Sequence, residues 1–384
     1  MSILLNARLP HMSGLYCLEV VSNQLRSMMP MAKVSANAVQ AVDLKGDWVS
    51  LGGVDLQING VLGLAFLDLS DPLELQKAAS FLWEQGIDAF TPTLVTAPAD
   101  KIQCSLAVIH DYQTSDLNER PNHARVLGAH LEGPFLNPEK RGAHPQEHLQ
   151  PLSIDRVKAL LEPYLKAIQI VTLAPEMEAA AAVIPWLRSH NIIVSLGHSL
   201  ATAAQAQTAF SQGASMITHA FNAMPGLHHR EPGLLGAALT HPNVFSGLIA
   251  DGQHVCTTML DLLLRAGRGQ SEATNGGLFL VSDALAPLGL PDGRYPWDSR
   301  EIEVTAGTAR LLDGTLSGTT RPLLDGVKNL VKWGLCSIDE AIMLATERPR
   351  QAIGLPSLAP RQTAHLLRWH CAGTNLSWQR ILED

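Results

Sequence analysis

Apolar runs rich in β-branched residues alternate with longer amphipathic stretches through most of the chain. Stretches such as LELQKAASFLWEQG and ATAAQAQTAFSQG repeat apolar residues at helical spacing and end in Gly, which predicts helices. The apolar runs are continuous rather than alternating, as is typical of parallel strands that are covered on both faces. Eight of them predict strands: WVSLGGVDLQI, AFTPTLV, RVLGAHLE, AIQIVTL, NIIVSLGH, SMITHAF, VFSGLIAD and GLFLVSDA.

Eight strands that alternate with helices predict an α/β fold, a (β/α)8 barrel of the TIM type, which needs about 250 residues. We assign residues 48–354 to this barrel and expect it to be the catalytic domain. The flanks, residues 1–47 and 355–384, contain short broken strand-like runs, and neither could bury a core alone. We therefore predict that the two flanks together form one small β-domain beside the barrel.

Composition limits the class of protein. A chain of 384 residues that is 46% hydrophobic and 17% charged can bury a large core, which excludes disorder. No apolar run approaches the roughly 20 residues of a membrane span, and the first residues lack the features of a signal peptide. The five cysteines are far apart without a CxxC pair, which favours buried free thiols in a reducing compartment. We expect a cytoplasmic protein.

The net charge of -8 argues against nucleic acid or an anionic membrane as the main partner. It does not exclude an anionic small molecule, whose site needs only one or two local cations.

Polar residues gather at the carboxyl ends of the predicted strands, where barrel enzymes build their active sites. One such histidine is more often structural, and one such aspartate is about as often a helix cap as a catalyst. Their arrival at one rim of the barrel favours a catalytic site. The residues follow the third strand (Glu132, His144), the fifth (His198), the sixth (His219, Asn222), the seventh (Asp251, His254) and the eighth (Asp283).

Glu132, His198 and His219 supply one carboxylate and two imidazoles from separate strands, the ligand composition of a catalytic divalent-metal site. A metal with an open position binds water and lowers its pKa towards neutral. Asp283 could then take a proton from that water and later deliver it to a leaving group. The alternative interpretation is three unrelated polar residues that hydrogen-bond the backbone. The ligand set accepts Zn, Fe, Co or Mn, of which Zn is our first expectation.

Several motifs between Gly52 and Gly354 resemble the N-acetylglucosamine-6-phosphate deacetylase family of the amidohydrolase superfamily. The resemblance implies that the substrate is a phosphorylated N-acetyl amino sugar, N-acetylglucosamine 6-phosphate, which is hydrolysed to glucosamine 6-phosphate and acetate. It also implies a homodimer, because in family members an arginine reaches the site across a subunit interface. The motifs are GGVDLQING, HLEGPFLNPEKRGAH, GHS, THAFNAM, REPGLLGAAL, IADGQHV, LVSDALAP and LSGTT.

The resemblance implies a role for individual residues. Glu132, His198 and His219 would bind the metal, Asp283 would be the catalytic acid and base, and His144 would polarise the acetyl carbonyl. The remaining residues would bind the substrate, with Arg230 and His254 on the phosphate, where the planar fork of an arginine suits the task. The implied substrate-binding residues are Ala143, Asn222, Ala223, Arg230, Asp251, Gly252, Gln253, His254, Leu316, Ser317 and Gly318.

The end of the first strand departs from the wider superfamily. Many amidohydrolases carry HxH there and use it to bind a second metal, whereas this chain has Gln57 and Asn59. Neutral amides are far poorer ligands than imidazole, so we expect a single divalent ion per chain, with Gln57 and Asn59 beside it.

Two other functions remain open at this point. Another amidohydrolase, acting on a different amide or on the galacto epimer, would share the metal site and Asp283; one without a phosphorylated substrate would have no use for Arg230 and His254. A catalytically inactive scaffold would be expected to have lost a ligand or the base, and all of them are present.

Overall fold

Eight parallel strands form the centre of the molecule, each hydrogen-bonded to the next in chain order. The computed structural model describes residues 2–34, 41–268, 276–363 and 365–381; parts of the predicted flanks lie outside these ranges. The barrel strands, numbered one to eight in chain order, are Gly53–Ile58, Ile87–Val95, Ala129–Glu132, Ile168–Leu173, Ile193–Leu196, Met216–Ile217, Phe245–Leu248 and Gly277–Leu280.

The chain beyond the eighth strand returns to the first and closes the sheet. The Asp283 backbone N–H donates to the Gln57 carbonyl at 2.9 Å, and the Asn59 N–H donates to the Ala284 carbonyl at 2.7 Å. These two bonds join the carboxyl ends of strands one and eight, so the predicted (β/α)8 barrel is confirmed.

Helices surround the barrel and bury their apolar faces against it. The first begins at a capping box, in which Asp71 and Glu74 exchange side-chain and backbone hydrogen bonds, and it buries Leu75, Ala79 and Leu82 at helical spacing. The α-helices are Pro72–Glu84, Ala99–Thr114, Ile154–Leu161, Ala180–Ser189, Ala203–Ser211, Gly233–Thr240, Thr257–Arg268, Leu323–Lys332, Ile338–Ala345 and Glu347–Ala352.

The barrel interior changes from apolar to polar along its axis. Side chains at the strand starts, such as Ile193, Met216 and Phe245, belong to a buried apolar cluster. Further along, His130 contacts Thr172 Oγ1 at 2.7 Å, and a chain of hydroxyl groups continues from there across the barrel. The apolar layer closes one end, and the carboxyl end is left polar for chemistry.

The flanks fold against each other as predicted. A five-stranded sheet and a three-stranded sheet enclose a shared core that includes Leu18, Leu25 and Leu366. Both sheets combine residues from the two ends of the chain, which confirms a small β-domain built from both flanks. In spatial order the first sheet contains Gln362–Thr363, Gln24–Pro30, Tyr16–Val21, Ser2–Ala7 and Ala41–Asp43, and the second contains Asn375–Arg380, Leu366–Ala372 and Trp48–Leu51.

The run predicted as one strand over residues 48–58 forms two strands with different partners. Trp48–Leu51 pairs with Leu366–Ala372 in the flank sheet, whereas Gly53–Ile58 enters the barrel. The chain changes direction at Gly52, where a β-carbon would overlap the Asp88 carboxylate. The prediction of a continuous strand was wrong because both halves are equally apolar.

A four-stranded antiparallel sheet follows the eighth strand and was not predicted. Its strands are Gly293–Trp297, Arg300–Thr305, Thr308–Leu311 and Leu316–Thr319, in that spatial order. We call it the insert sheet. The Leu285 N–H donates to the Thr319 carbonyl and the Thr319 N–H donates to the Asp283 carbonyl, which continues the barrel wall into the sheet. The insert sheet therefore stands at the carboxyl rim.

Two other expectations are answered by the described residues. All five cysteines are free, but Cys17 is the one that is buried, so the predicted burial was wrong for the other four. No described helix combines the length and the apolar character that crossing a bilayer requires.

Asp88 holds the point where the chain passes from the flank sheet into the barrel. Its carboxylate accepts from the Gly52 N–H at 2.8 Å, from Arg350 at 2.9 Å and from Arg380 at 3.0 Å. The side chains of Asp88 and of both arginines are about 90% buried. Removing the carboxylate leaves two buried guanidinium groups without their partner.

We predict that Asp88→Ala lowers the free energy of unfolding by about 3–5 kcal/mol in urea titrations. The matched control is Asp261→Ala, which removes a carboxylate from the exposed Arg265 pair and should cost at most about 1 kcal/mol. Equal losses in the two variants would contradict the structural role of Asp88.

Asp55 lies buried where strands one and eight meet and accepts from the Ser282 N–H at 3.2 Å. Burial, with a smaller contribution from the charge of Asp283, raises the pKa of Asp55 from 3.8 to about 7. Between pH 4 and 7 the unfolded chain therefore loses this proton while the folded protein keeps it, so stability falls as the pH rises.

We predict that Asp55→Asn removes this pH-dependent penalty, since Asn retains the acceptor oxygen but cannot ionise. Relative to the wild type, its free energy of unfolding should rise by about 4 kcal/mol between pH 4 and pH 8. Urea unfolding at both pH values measures the difference. A difference that stays constant with pH would show that Asp55 is ionised in the folded protein throughout.

Candidate active site

Three predicted metal ligands meet at the carboxyl rim of the barrel. Glu132 is the last residue of strand three, and His198 and His219 each follow their strand by two residues. Glu132 Oε1 lies 3.0 Å from Nε2 of each histidine, and the two Nε2 atoms are 3.0 Å apart. All three side chains are buried. Among the described residues, these three form the one group of His, Cys, Asp or Glu side chains that lie close enough together to hold a metal ion.

The hydrogen of the His198 ring lies on the nitrogen that faces away from this cluster. Its Nδ1 lies 2.9 Å from the Lys140 carbonyl oxygen, which can only accept, so Nδ1 carries the hydrogen. In the neutral ring, Nε2 then directs a lone pair towards Glu132 and His219. A carboxylate oxygen and two ring nitrogens at mutual distances of 3.0 Å form a donor set that suits a divalent metal.

Gln57 and Asn59 connect this cluster to Asp283. The Gln57 amide donates to both oxygens of Glu132 and to Asp283 Oδ1, each at 3.3 Å. Asn59 Nδ2 donates to the same Asp283 oxygen at 2.8 Å. Two amides thus orient two carboxylates.

The two carboxylates have opposite electrostatic surroundings. Although burial alone would raise the pKa of Glu132, the adjacent imidazoles hold it well below its ordinary value. Burial, followed by the charge of Glu132, raises the pKa of Asp283. Glu132 is therefore suited to permanent negative charge and Asp283 to exchanging a proton.

His144 reaches the site from the loop after strand three. The Thr96 N–H points at its Nδ1 at 3.3 Å, which leaves the hydrogen of the neutral ring on Nε2. That Nε2 faces the three predicted metal ligands and lies 3.9 Å from Glu132 Oε1. Burial lowers the pKa of His144 to about 3, so the ring is a neutral hydrogen-bond donor.

Backbone strain is concentrated at these strand ends. His198, His219 and Asp283 have φ angles of 48°, 26° and 46°, in the left-handed region that costs a non-glycine residue about 1–3 kcal/mol. The turn at each strand end aims the side chain into the barrel mouth. Such strain is typical of functional sites.

The segment after strand seven folds around Asp251. Its carboxylate accepts from the backbone N–H groups of Gln253 and His254, at 2.8 and 2.9 Å, and pairs with His254 Nδ1 at 2.7 Å. Burial opposes ionisation, but the hydrogen bonds from His254 lower the pKa of Asp251 overall. Asp251 therefore orients His254, whose ring lines the site.

A cavity of about 210 Å³ contains most of the predicted site residues, and we call it the catalytic cavity. Gln57 lies behind it, in contact with Glu132 and Asp283. The predicted residues that line it are Asn59, Glu132, Ala143, His144, His198, His219, Asn222, Ala223, His254, Asp283, Leu316 and Ser317.

Other predicted residues lie outside this lining. Arg230 is exposed on the loop after strand six, and Gln253 is exposed beside the insert sheet. Asp251 and Gly252 support His254 from the same turn, and Gly318 is buried behind Ser317. Of the two residues predicted to bind the phosphate, His254 lines the cavity of a single chain and Arg230 does not.

Sequence reasoning missed the insert sheet and the residues it contributes. Trp297 and Asp298 line the catalytic cavity, and Arg300 donates to the Ala143 carbonyl at 2.9 Å. The signal was present, because residues 301–305 alternate between exposed charged or polar and buried apolar residues, unlike the continuous barrel strands.

A cavity of about 780 Å³ lies at the opposite end of the barrel. Ser215 and Phe245, at the starts of strands six and seven, line it together with residues of the β-domain. None of the predicted site residues lines it.

Known proteins resemble the chain over most of its length, although no family model matches. It is 38% identical over 325 residues to N-acetylglucosamine-6-phosphate deacetylase of Bos taurus, which covers 82% of this chain and 76% of that protein. It is 35% identical over 318 residues to N-acetylgalactosamine-6-phosphate deacetylase of Escherichia coli O157:H7, covering 82% of this chain and 81% of that protein.

Among solved structures, N-acetylglucosamine-6-phosphate deacetylase from Pasteurella multocida superimposes with a TM-score of 0.84 at 29% identity, covering 99% of this chain and 100% of that one. Identity above 30% over four fifths of the chain, together with this fold and a buried Glu–His–His cluster, leads to one conclusion. The chain belongs to the N-acetylglucosamine-6-phosphate deacetylase family.

Proposed function

We propose that this enzyme hydrolyses N-acetylglucosamine 6-phosphate to glucosamine 6-phosphate and acetate in amino-sugar catabolism, with one divalent metal per chain. The observation that carries the proposal is the convergence of Glu132, His198, His219, His144 and Asp283 in one buried cavity. A metal-ligand triad, a neutral donor and a carboxylate with a raised pKa are the parts that amide hydrolysis requires. The names of the relatives support the substrate.

Glu132, His198 and His219 would hold the metal. When bound, a divalent ion supplies Lewis acidity, which lowers the pKa of water and polarises a carbonyl. Gln57 fixes the orientation of the Glu132 carboxylate through two hydrogen bonds, and Lys140 fixes the ring of His198. Neutral Gln57 and Asn59 stand where a second ion would need imidazole ligands, which supports a single ion.

Asp283 would perform both proton transfers. Its carboxylate takes a proton from the attacking water and then gives it to the amide nitrogen, because an amine leaves only if it is protonated. The hydrogen bonds from Gln57 and Asn59 hold Oδ1, so the second oxygen is the one available for the transfer.

His144 would stabilise the oxygen of the carbonyl as it becomes negative. Its Nε2–H points into the cavity, and burial keeps the ring neutral, so the donor is present in the same form throughout the reaction. A donor aimed at developing charge in a dry site contributes about 2.7–4 kcal/mol in comparable enzymes.

Substrate binding would use the rest of the cavity. His254 would bind the phosphate, and Asn222, Ala223, Ala143, Leu316 and Ser317 would line the sugar site. Asp251 through Gln253 and Gly318 would hold these groups in place. Arg230 is exposed in a single chain, and we propose that it binds the phosphate of a neighbouring subunit in a homodimer. Zn is the proposed metal and the cytoplasm the proposed location.

The galacto epimer is the second candidate substrate, because one relative is named for it. An acetate-release assay on N-acetylglucosamine 6-phosphate, its galacto epimer and the unphosphorylated sugar tests the proposal. The gluco phosphate should give the highest kcat/KM. Higher kcat/KM on the galacto epimer would reassign the substrate, and equal activity without phosphate would exclude phosphate recognition.

We predict one tightly bound divalent ion per chain. His198→Ala and His219→Ala should each lose both the metal and the activity while the fold is kept, since the barrel core lies elsewhere. Elemental analysis after removal of loose metal measures this, and His190→Ala, at an exposed helix end, is the matched control. Two equivalents per chain would contradict the prediction.

We predict that Asp283→Asn lowers kcat by about 10² to 10⁴, because the amide cannot accept the proton. Metal content and substrate affinity should be unchanged, since Asn is nearly isosteric. Asp313→Asn, at an exposed turn of the insert sheet, is the control and should keep full activity. A structural role for Asp283 would instead appear as lost stability, with kcat above a tenth of the wild-type value.

We predict that Arg230→Ala raises KM for the phosphorylated substrate by about tenfold to a hundredfold, the value of a charge-assisted contact of roughly 1.5–3 kcal/mol. The unphosphorylated sugar should show little change. Arg265→Ala removes an arginine that is 72% exposed on an outer helix and serves as the control. Equal losses on the two substrates would give Arg230 a different role.

A further inference from the structure

A second cavity lies beside the catalytic cavity, on the side of strands one and two. We call it the side cavity; its volume is about 390 Å³. Beyond the shared wall it is lined by residues such as Ala65, Thr96 and Ala286 and also by the charged or polar residues Asp68, Lys101, Glu147 and His148, of which Lys101 pairs with Asp68. The two cavities share a wall of six residues: Asn59, Val95, Pro145, Leu285, Trp297 and Asp298.

The shared wall is mainly apolar. Val95, Pro145, Leu285 and Trp297 contribute carbon surface. Of its other two members, Asn59 donates through Nδ2 to Asp283 while its Oδ1 is buried without a hydrogen-bond partner among the described residues, and the Asp298 carboxylate pairs with Arg300. An aliphatic group would therefore contact carbon surface along four of the six wall residues.

The geometry of an amide decides which part of the substrate points there. A carbonyl carbon has three substituents: the nitrogen, the oxygen and the acyl carbon chain. In the proposed function the nitrogen faces Asp283 and the oxygen faces His144 and the metal ligands, so the acyl chain points away from the sugar.

The proposed sugar site lies with Asn222 and His254, after strands six and seven. Directly across the barrel mouth from those strands are strands two and three. Val95 is the last residue of strand two, Pro145 lies in the loop after strand three, and both belong to the shared wall.

We propose that the side cavity is an acyl-chain subsite and that the enzyme also hydrolyses amino-sugar 6-phosphates with straight acyl groups longer than acetyl, such as propanoyl and butanoyl. This inference rests on the proposed function. Water adds to the carbonyl carbon, the C–N bond breaks, the amine takes a proton and the free carboxylic acid leaves. A cavity of 390 Å³ has room for several methylene groups, each about the size of a water molecule, roughly 30 Å³.

The test compares kcat/KM of the metal-containing enzyme for the N-acetyl, N-propanoyl and N-butanoyl derivatives of glucosamine 6-phosphate. The butanoyl value should lie within about tenfold of the acetyl value. Ala286→Leu fills the side cavity from a half-buried position outside the shared wall, and it should lower the ratio of butanoyl to acetyl kcat/KM by at least tenfold. Ala65→Leu does the same from the other side, in case one variant fails to fold.

Ala204→Leu, the same change at an exposed helix position, is the control and should leave the ratio unaltered. A butanoyl value below a tenth of the acetyl value in the wild type would overturn the inference. An unchanged ratio in both cavity variants would also overturn it. Absence of acetyl hydrolysis in the wild type would instead show that the proposed function has failed.

Discussion

The site depends on the closure of the barrel between strands one and eight. Two backbone hydrogen bonds, from Asp283 to Gln57 and from Asn59 to Ala284, lock the ends of these strands in register. The side chains of the same residues then meet, because both amides donate to the Asp283 carboxylate. Without that closure the proposed base would face solvent, and Gln57 could not bridge it to Glu132. The contact that completes the fold is also the one that assembles the chemistry.

The closed barrel can hold a strained site because its core does not include that site. Three functional side chains sit on left-handed backbone at strand ends, a conformation that their own residue types disfavour. The apolar cluster near the strand starts and the helices outside the sheet are built from other residues. Strain at the rim therefore weakens the fold by a fixed amount without disordering it, and each strained turn keeps its side chain directed inwards.

Much of this arrangement could be predicted because it follows from local pattern. The barrel strands are continuous apolar runs. Glu132 and His219 could be predicted as site residues from their positions at strand ends alone. The insert sheet was missed because the strands were predicted from continuous apolar runs, which are typical of buried parallel strands. Residues 301–305 instead alternate between exposed and buried positions, as in a half-exposed strand. The break at Gly52 depends on packing against Asp88, 36 residues away, and no local pattern records such a contact. The proposed contact of Arg230 with a second subunit would likewise be a property of assembly.

The insert sheet contributes to the lining of the catalytic cavity, whereas the groups proposed to cleave the amide come from other parts of the chain. The groups that we propose to act on the amide come from barrel strand ends and the loop after strand three, whereas Trp297, Asp298, Leu316 and Ser317 reach the cavity from the insert. The sheet has a small core of its own that packs against Leu285, so its turns can differ without disturbing the proposed metal ligands. Arg300 ties one of these turns to the backbone of the His144 loop. Changes in the insert should therefore alter which substrates fit before they alter how the amide is cleaved.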